Sequence, residues 1–406
     1  MRTKRFYFQN PQGQKLAAIL DFPVDGKTHC YAIYAHCFTC GKNLKISHCI
    51  SRALTQHHIA VLRFDFTGLG ESEGDFSQTN FSSNIADLVS AAKFLGVEYE
   101  APKLLIGHSI GGTAALAAAQ AIPSCRAVTL IASPFEPIHI MDHFKKEKDM
   151  VEKQGEAVIN LGGQTFTINK QFVDNLNATD MHKVIKNLNL PLLIIHSPED
   201  DTVSIDNAAR IYQAARHPKS FISMDNADHL LSREGDANYA GTMIATWAGK
   251  YLDIEQQQLA SSMGKDGDVI SSTGKDHYYT EIEADGHTII ADEPHSVGGG
   301  EQGADPYELL SSSLGACTGI TLRMYADRKG WPLRQVNVLL RHRKVHAVDC
   351  DDCPDARTMI DTIMREIELI GDLTGEQKKR LLEIANRCPV HRTLQEKVVV
   401  KTQLKQ

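Results

Sequence analysis

One stretch constrains the fold of this chain more than any other. It reads Leu-Leu-Ile-Gly-His-Ser-Ile-Gly-Gly from Leu104 to Gly112, and an alanine-rich segment follows it. The apolar residues predict a short buried strand, the glycines allow a sharp reversal, and the alanines predict a helix. So tight a reversal strains the backbone at Ser109 and exposes its hydroxyl where the helix begins. The pattern predicts a nucleophilic serine; a glycine-rich turn capped by a serine is the alternative.

Length and composition narrow the classes of protein to consider. A chain of 406 residues exceeds what one hydrophobic core usually supports, so we expect two domains. The net charge of −7 gives no argument for nucleic-acid binding, and no apolar run is long enough for a membrane span. The first eleven residues lack the apolar core of a signal peptide, so we expect a cytoplasmic protein. Nine cysteines, an odd number, predict reduced thiols rather than a disulfide framework.

Strands and helices alternate along residues 1–255. This predicts a doubly wound, mostly parallel α/β sheet with catalytic groups in the loops at the carboxyl ends of its strands. The alternation breaks over about 134–189, where a charged helical segment and two strands around a glycine pair predict a small cap over the site. The polar stretch 256–265 is typical of a linker.

Residues 266–406 follow a different pattern, which predicts an α+β domain. Short strands come first, and Asp305-Pro306-Tyr307-Glu308 then caps a long helix that reaches Met324. That helix carries almost no charge, so we expect it to be buried on all sides. Beyond it we expect a strand over 336–345, an amphipathic helix over 357–370, a capped helix from Thr374, and a closing strand over 397–402.

A serine hydroxyl needs a histidine base, and the histidine needs a carboxylate that holds its tautomer. In doubly wound hydrolases these residues follow one another in the order serine, acid, histidine. Asp200 and Asp201 follow the predicted strand that ends near His196, and His229 follows the last predicted strand of this half. The order predicts His229 as the base and Asp200 as the acid, with Asp201 as an alternative acid.

The tetrahedral intermediate of acyl transfer also needs two backbone donors. The first is the N–H of Ile110, and we expect the second to be the N–H of Phe38, in the loop after an earlier strand. We expect His36 to order that loop through a hydrogen bond. The nearby cysteines are interpreted as small buried side chains: Cys37, Cys40 and Cys49.

Together these residues resemble the α/β-hydrolase family over residues 1–255. The resemblance rests on Gly107-His108-Ser109-Ile110-Gly111, on the His36-Cys37-Phe38 strand end, on the segment from Phe64 to Ser72, and on Asp200 with His229. It implies a serine hydrolase that acts on small carboxylic esters through an acyl-enzyme and needs no cofactor. Cys37 is a departure, since relatives usually carry glycine there.

Two cysteines of the second half suggest thiol chemistry. Cys317 lies on the apolar helix, and Cys388 directly follows a capped helix. A core thiol is the simplest interpretation of Cys317. In the alternative, one thiol attacks an O–O bond and becomes a sulfenic acid, and the second thiol closes a disulfide with it.

The segment from Asp305 through Cys317, together with Cys388-Pro389 and the order of strands and long helix, resembles the OsmC/Ohr family over residues 266–406. The resemblance implies a peroxiredoxin-like reductase of organic hydroperoxides that is recycled by an external dithiol. It also implies an intertwined homodimer, Cys317 as the attacking thiol and Cys388 as the resolving thiol.

Two departures from that family concern its supporting residues. The organic-hydroperoxide branch holds its thiolate with an arginine from the early strands, yet no arginine occurs from Ile254 to Leu322. Its helper glutamate aligns with Tyr307 or, one residue off, with Glu308, which the helix cap already explains.

His342, His346, Cys350 and Cys353 form the pattern H-x3-H-x3-C-x2-C. Four such ligands suit zinc, but a single CxxC is a modest signal. We favour an exposed loop without metal.

The sequence therefore predicts a fusion of a serine esterase with an OsmC-like thiol peroxidase, which dimerises through the second domain and binds neither nucleic acid nor membrane. Two alternatives remain. The second domain is only a dimerisation module in one, and the hydrolase half is only a binding scaffold in the other.

Overall fold

A computed structural model describes residues 1–37, 40–161, 164–252, 268–275, 277–346 and 359–404. Its contacts divide the chain into two units, Met1–Ser272 with Ile282–Thr288 and Thr273–Glu281 with Ile289–Gln406. The predicted linker over 256–265 lies outside the described residues. No helix within the described ranges has the length and apolar character that a bilayer span requires.

A large mixed sheet forms the centre of the first unit. The strands up to residue 223 are β1 (Arg2–Gln9), β2 (Lys15–Phe22), β3 (Cys30–Ala35), β4 (Ile59–Phe64), β5 (Leu104–His108), β6 (Ala127–Ile131), β7 (Glu156–Leu161), β8 (Gln164–Asn169), β9 (Leu192–His196) and β10 (Lys219–Ser223). Eight of them form the sheet in the order β1-β2-β4-β3-β5-β6-β9-β10. The first two pairings are antiparallel, and β4 onward run parallel. The predicted α/β class is confirmed.

Helices cover both faces of this sheet. They are α1 (Lys45–Gln56), α2 (Phe81–Glu98), α3 (Ile110–Ala119), α4 (Lys145–Gln154), α5 (Lys170–Ala178), α6 (Met181–Lys186), α7 (Asp206–Ala214) and α8 (Glu234–Gly249). Helices α1 and α8 share one apolar core with the sheet, and α2, α3 and α7 share the other. Every residue of β3, β4, β5 and β6 is buried, which explains why these strands are continuous apolar runs rather than alternating ones.

An insertion between β6 and β9 follows the predicted position of the cap. It comprises the 3-10 turn Pro137–His143, α4, the antiparallel hairpin of β7 and β8, α5 and α6. Val151, Ile159 and Phe166 are buried in the same core as the sheet. The ring of Phe166 lies 5.0 Å from that of Phe76, edge to face. The insertion therefore packs against the central sheet and shares its apolar core.

The second half begins with a small sheet and a long helix. Its elements are β11 (Val269–Thr273), β12 (Thr280–Ala284), β13 (His287–Ala291), α9 (Pro306–Lys329), β14 (Leu333–His346), β15 (Met359–Gly371), α10 (Gly375–Ala385) and α11 (Pro389–Gln395). The cap of α9 is the predicted one, because the Asp305 side chain accepts from the N–H of Glu308 and the Glu308 side chain accepts from the N–H of Asp305. Strands β14 and β15 form a long antiparallel pair.

Two predicted elements of this half are wrong. The amphipathic helix expected over 357–370 is strand β15, in which Ile363, Ile367 and Leu369 alternate with exposed residues. The spacing of its isoleucines fits the period of a helix and that of a strand, and the segment is a strand because it pairs with β14. The closing strand expected over 397–402 has no regular secondary structure, and Val400 is 82% exposed.

The expectation that α9 is buried on all sides is also wrong within one chain. Leu322 and Ala326 are fully buried and pack against β14 and α10. Ile320 and Met324, on another face of the helix, are 60% and 67% exposed. One face of α9 therefore presents apolar side chains to solvent.

Candidate active sites

Ser109 lies at the reversal between β5 and α3, as the glycine pattern predicts. Its backbone has φ 55° and ψ −130°, a combination that residues other than glycine rarely adopt. A methyl group on Gly107 would overlap the backbone of Gly112, and one on Gly111 would overlap the carbonyl oxygens of Ala35 and His36. The close approach of these segments requires glycine and leaves Ser109 half-buried at the helix start.

His229 and Asp200 are hydrogen-bonded to each other. Nδ1 of His229 lies 2.8 Å from Oδ2 of Asp200, and both residues are buried. The other carboxylate oxygen of Asp200 accepts the backbone N–H groups of Thr202 and Val203 at 2.9 Å and 2.8 Å. This geometry fixes the tautomer of His229 that carries its proton on Nδ1 and leaves Nε2 as an acceptor.

The electrostatics of Asp200 favour the ionised carboxylate. Burial would raise its pKa, but the hydrogen bonds from His196, His229 and Val203 outweigh burial and hold the pKa well below its usual range. Asp201 is exposed, and its side chain accepts from the Thr202 hydroxyl at 3.2 Å. The structure thus brings Asp200, and not Asp201, to the histidine.

His108, next to Ser109, anchors the loop that carries His229. Its Nε2–H donates to the carbonyl oxygen of His229 at 2.8 Å, and the two rings lie 5.2 Å apart. Burial, and then the neighbouring His229, lower the pKa of His108 to about 3, so the ring is neutral. No sequence pattern predicts this role for His108, and only its position next to Ser109 could have suggested one.

The second oxyanion donor, expected at Phe38, lies outside the described residues. Ile110 is the first residue of α3, where a backbone N–H has no partner within the helix. His36 orders the loop after β3, as expected: its Nδ1–H donates to the Cys37 carbonyl at 2.7 Å, and Nε2 accepts the N–H of Phe66 at 3.3 Å. Burial lowers the pKa of His36, which keeps it neutral.

The expectation of reduced thiols throughout is wrong for one pair. Cys37 and Cys40 form a disulfide with a Cα–Cα distance of 5.3 Å. Residues three apart in a turn can meet this geometry, so no larger cysteine framework is needed. Cys49 is a free buried thiol, as expected.

A buried ion pair behind this loop was missed. Nζ of Lys42 lies 2.5 Å from Oδ2 of Asp65 and 2.7 Å from Glu71, and the Lys42 and Asp65 side chains are each 2% exposed. Asp65 also accepts the backbone N–H groups of Lys42 and Glu71. The pair ties the loop after β3 to the loop after β4. A lysine among polar loop residues carries no sequence signal for burial.

In the second half, the two predicted cysteines differ in environment. Cys317 is half-buried on α9, whereas Cys388 is fully buried. The Cys388 sulfur lies 3.8 Å from Oγ1 of Thr318, the residue after Cys317, and accepts the N–H of His391 at 3.3 Å. The structure therefore places Cys388 against the turn of α9 that carries Cys317.

Other residues predicted for this half have structural contacts or are not described. Glu308 takes part in the cap of α9 and lines an open groove of about 960 Å³ between α9 and β14. The ring of His342 stacks on Tyr307 at 4.1 Å, and its Nε2 lies 2.8 Å from Asp361. Cys350 and Cys353 lie outside the described residues, so the exposed loop without metal stays a prediction.

Comparisons with known protein families give a separate match in each half of the chain. The OsmC-like protein family matches residues 298–403, and the serine aminopeptidase S33 family matches residues 42–162. The esterase domain of a Rhodothermus marinus protein is 46% identical, and the match covers 62% of this chain and all of that chain with a TM-score of 0.52.

A more distant solved structure shares the fold of the first half, and a curated protein matches part of the chain in sequence. Est1E from Butyrivibrio proteoclasticus, solved with ferulic acid bound, is 16% identical over 61% of this chain and 99% of that chain, with a TM-score of 0.53. The uncharacterised protein YfhR of Salmonella typhi is 21% identical over 177 residues, which is 44% of this chain. The chain spans only 57% of the length of that curated relative.

Proposed function

The chain belongs to the α/β-hydrolase family and carries an OsmC-like domain, and we propose that its first half hydrolyses small carboxylic esters through an acyl-enzyme on Ser109. The observation that carries the proposal is the 2.8 Å contact between His229 and Asp200, in a unit whose Ser109 has the backbone of a nucleophile elbow. The resemblance to a domain named an esterase, at 46% identity, supports the ester as substrate.

Ser109, His229 and Asp200 each have one part in the proposed reaction, and backbone N–H groups stabilise its intermediate. Nε2 of His229 takes the proton of the Ser109 hydroxyl while the oxygen attacks the ester carbonyl carbon, and Asp200 stabilises the resulting imidazolium. The N–H of Ile110 donates to the oxyanion, with Phe38 as the expected second donor. His229 returns its proton to the leaving alcohol, and a water molecule then hydrolyses the acyl-enzyme by the same route.

Turnover of p-nitrophenyl acetate by the full chain tests this mechanism. We expect Ser109→Ala to abolish turnover and labelling by a fluorophosphonate probe, and Cys317→Ser to leave both unchanged. Full turnover in the Ser109→Ala variant would remove the serine from the mechanism. No labelling of the unmodified protein at Ser109 would favour the binding scaffold.

For the second half we propose reduction of organic hydroperoxides. The contact between Cys388 and the turn of Cys317 supports this function, because a sulfenic acid at Cys317 needs a nearby thiol. The Cys317 thiolate attacks the O–O bond, which releases an alcohol and leaves Cys317–SOH. Cys388 then closes a disulfide with loss of water, and an external dithiol restores both thiols.

Consumption of cumene hydroperoxide with dithiothreitol measures this activity. We expect it to be lost in Cys317→Ser and retained in Ser109→Ala. Activity that survives Cys317→Ser would exclude that thiol. Absence of activity in the unmodified chain, together with slow alkylation of Cys317, would support a domain that serves only for dimerisation.

We also propose that a second copy of the chain covers the exposed face of α9. Ile320 and Met324 on this face are large and apolar, and small residues of α9 line the groove beside β14: Gly315, Ala316 and Gly319. Leaving such a face in water is unfavourable, and a helix of this kind in the partner would bury it.

A further inference from the structure

The guanidinium group of Arg365 joins three segments around Cys388. Arg365 lies on β15, and its Nη1 donates to Oγ1 of Thr318 on α9 at 2.9 Å and to the carbonyl oxygen of Ala385 at 3.3 Å. Its Nη2 donates to Oδ1 of Asn386 at 2.7 Å. Arg365 thus connects the strand, the helix of Cys317 and the turn that precedes Cys388.

The direction of these hydrogen bonds determines which groups can donate to the Cys388 sulfur. Arginine can only donate, so Oγ1 of Thr318 accepts from Arg365, and its own hydrogen can point to the Cys388 sulfur, 3.8 Å away. The sulfur also accepts the backbone N–H of His391 at 3.3 Å. These two contacts hold the Cys388 sulfur next to the turn of α9 that carries Cys317.

The positive charge of Arg365 also acts on the turn that begins at Cys388. Within the described ranges, no carboxylate lies at ion-pair distance from Arg365. Burial, and then the charge of Arg365, lower the pKa of His391, the third residue after Cys388. An anion that forms beside Thr318 would therefore meet a cation that has no carboxylate partner among the described side chains.

We propose that Arg365 is a positioning residue for Cys388, which through Thr318 aims the Cys388 sulfur at the Cys317 turn. This inference rests on the proposed thiol function. In the step it serves, the Cys388 thiolate attacks the sulfur of Cys317–SOH, the S–S bond forms as the S–O bond breaks, and the departing hydroxide takes a proton to become water. Full burial of Cys388 suits this role, because its reaction partner is supplied by the protein itself.

A single-turnover experiment on the full chain tests the inference. The chain receives one equivalent of cumene hydroperoxide in the presence of dimedone, and peptide mass spectrometry measures the Cys317 adduct against the Cys317–Cys388 disulfide. We expect at least ten times more adduct in Arg365→Met and in Thr318→Val, which keeps the shape of the side chain, and a smaller increase in Arg365→Lys. Disulfide closure at the unmodified rate in both Arg365→Met and Thr318→Val would overturn the proposal.

Arg323→Met is the matched control. Arg323 also donates to backbone carbonyl oxygens of this half, those of Leu333 and Arg334, but forms no described contact with a cysteine. We expect this variant to behave like the unmodified chain. An equal increase of adduct in Arg323→Met would show that general loosening of the fold, and not Arg365, controls the step.

A second measurement separates this inference from the peroxidase proposal. The reduced full chain receives the thiol oxidant diamide in place of a hydroperoxide, and peptide mass spectrometry follows the rate at which the Cys317–Cys388 disulfide forms with and without Arg365→Met. We expect a tenfold lower rate without the guanidinium group. If hydroperoxide never oxidises Cys317 in the unmodified chain, the peroxidase proposal fails, and the diamide rates alone decide on Arg365: equal rates would overturn its role.

Discussion

The two halves of this chain differ in how completely they bury their own apolar surface. In the hydrolase half the central strands are buried on both faces, and two apolar cores fill the space between sheet and helices. In the second half the core around α9 is small, and a face of that helix with Ile320 and Met324 is exposed. The first half therefore buries its apolar surface within one chain, whereas the second half leaves an apolar helix face that we propose a second copy covers.

The largest expected effect tests whether the hydrolase site is complete in one chain. We expect Asp200→Asn to lower kcat for p-nitrophenyl acetate by about 10⁴-fold, because the neutral amide no longer holds the imidazole or stabilises its cation. The matched control is Asp201→Asn, for which we expect a change of less than about threefold, since Asp201 is exposed. Equal losses in the two variants would contradict the assignment of the acid.

The buried ion pair gives the next largest effect. We expect Lys42→Met to lower the free energy of unfolding by about 3–5 kcal/mol, since it leaves the Asp65 carboxylate buried without its partner. Chemical denaturation followed by tryptophan fluorescence measures this change. Lys45→Met is the control: Lys45 pairs with Glu234 at the surface, and we expect less than about 1 kcal/mol. A similar small loss for both lysines would show that the burial of Lys42 is unimportant.

The exposed face of α9 provides the test of the second half. We expect the full chain to dimerise and Ile320→Glu to weaken the dimer at least about 30-fold, the factor that corresponds to roughly 2 kcal/mol for one buried isoleucine. Analytical ultracentrifugation measures the dissociation constant. Leu382→Glu is the control, because Leu382 is 57% exposed on another helix. A chain that stays monomeric at all concentrations would contradict the proposal that a second copy covers the exposed face of α9.

The smallest expected effect is that of a change of one pH unit. His108 is neutral because burial lowers its pKa to about 3, against about 6.5 in an unfolded chain. Below pH 6.5 the unfolded chain therefore binds a proton that the folded chain does not. The contribution of His108 is present in full above pH 6.5 and falls by up to about 1.4 kcal/mol per pH unit between pH 6.5 and 3.

Denaturation curves at several pH values measure this slope. We expect His108→Gln, which has no titratable group, to unfold with a shallower dependence on pH in that range. An unchanged slope would show that His108 is not the group responsible.

Sequence reasoning predicted the hydrolase half well because period and burial agree there. The run from Cys30 to Ala35 is apolar throughout and is a strand buried on both faces. The same reasoning failed for β15, where isoleucines and charges fit a helix and a strand alike, and pairing with β14 decided between them. It therefore also missed Arg365, whose contacts exist only because β15 is a strand.

The contact of Asp200 with His229 and the strained backbone of Ser109 were predictable from the sequence, whereas the contacts that support them were not. Ser109, Asp200 and His229 follow from their positions after strands. The pairing of Lys42 with Asp65 and the anchoring of His229 by His108 depend on contacts between loops far apart in the chain, for which local sequence gives no signal. The disulfide of Cys37 and Cys40 was missed because the expected compartment and the odd cysteine count favoured free thiols.

The backbone conformation of Ser109 lowers the stability of the fold. A residue with a side chain at φ 55° and ψ −130° costs of order 1–3 kcal/mol, which a glycine at the same position would not. Mutation to glycine would thus make the fold more robust while ending any chemistry of the hydroxyl. The fold therefore gives up stability at this one position to hold a hydroxyl there, a trade expected of a residue kept for its reactivity.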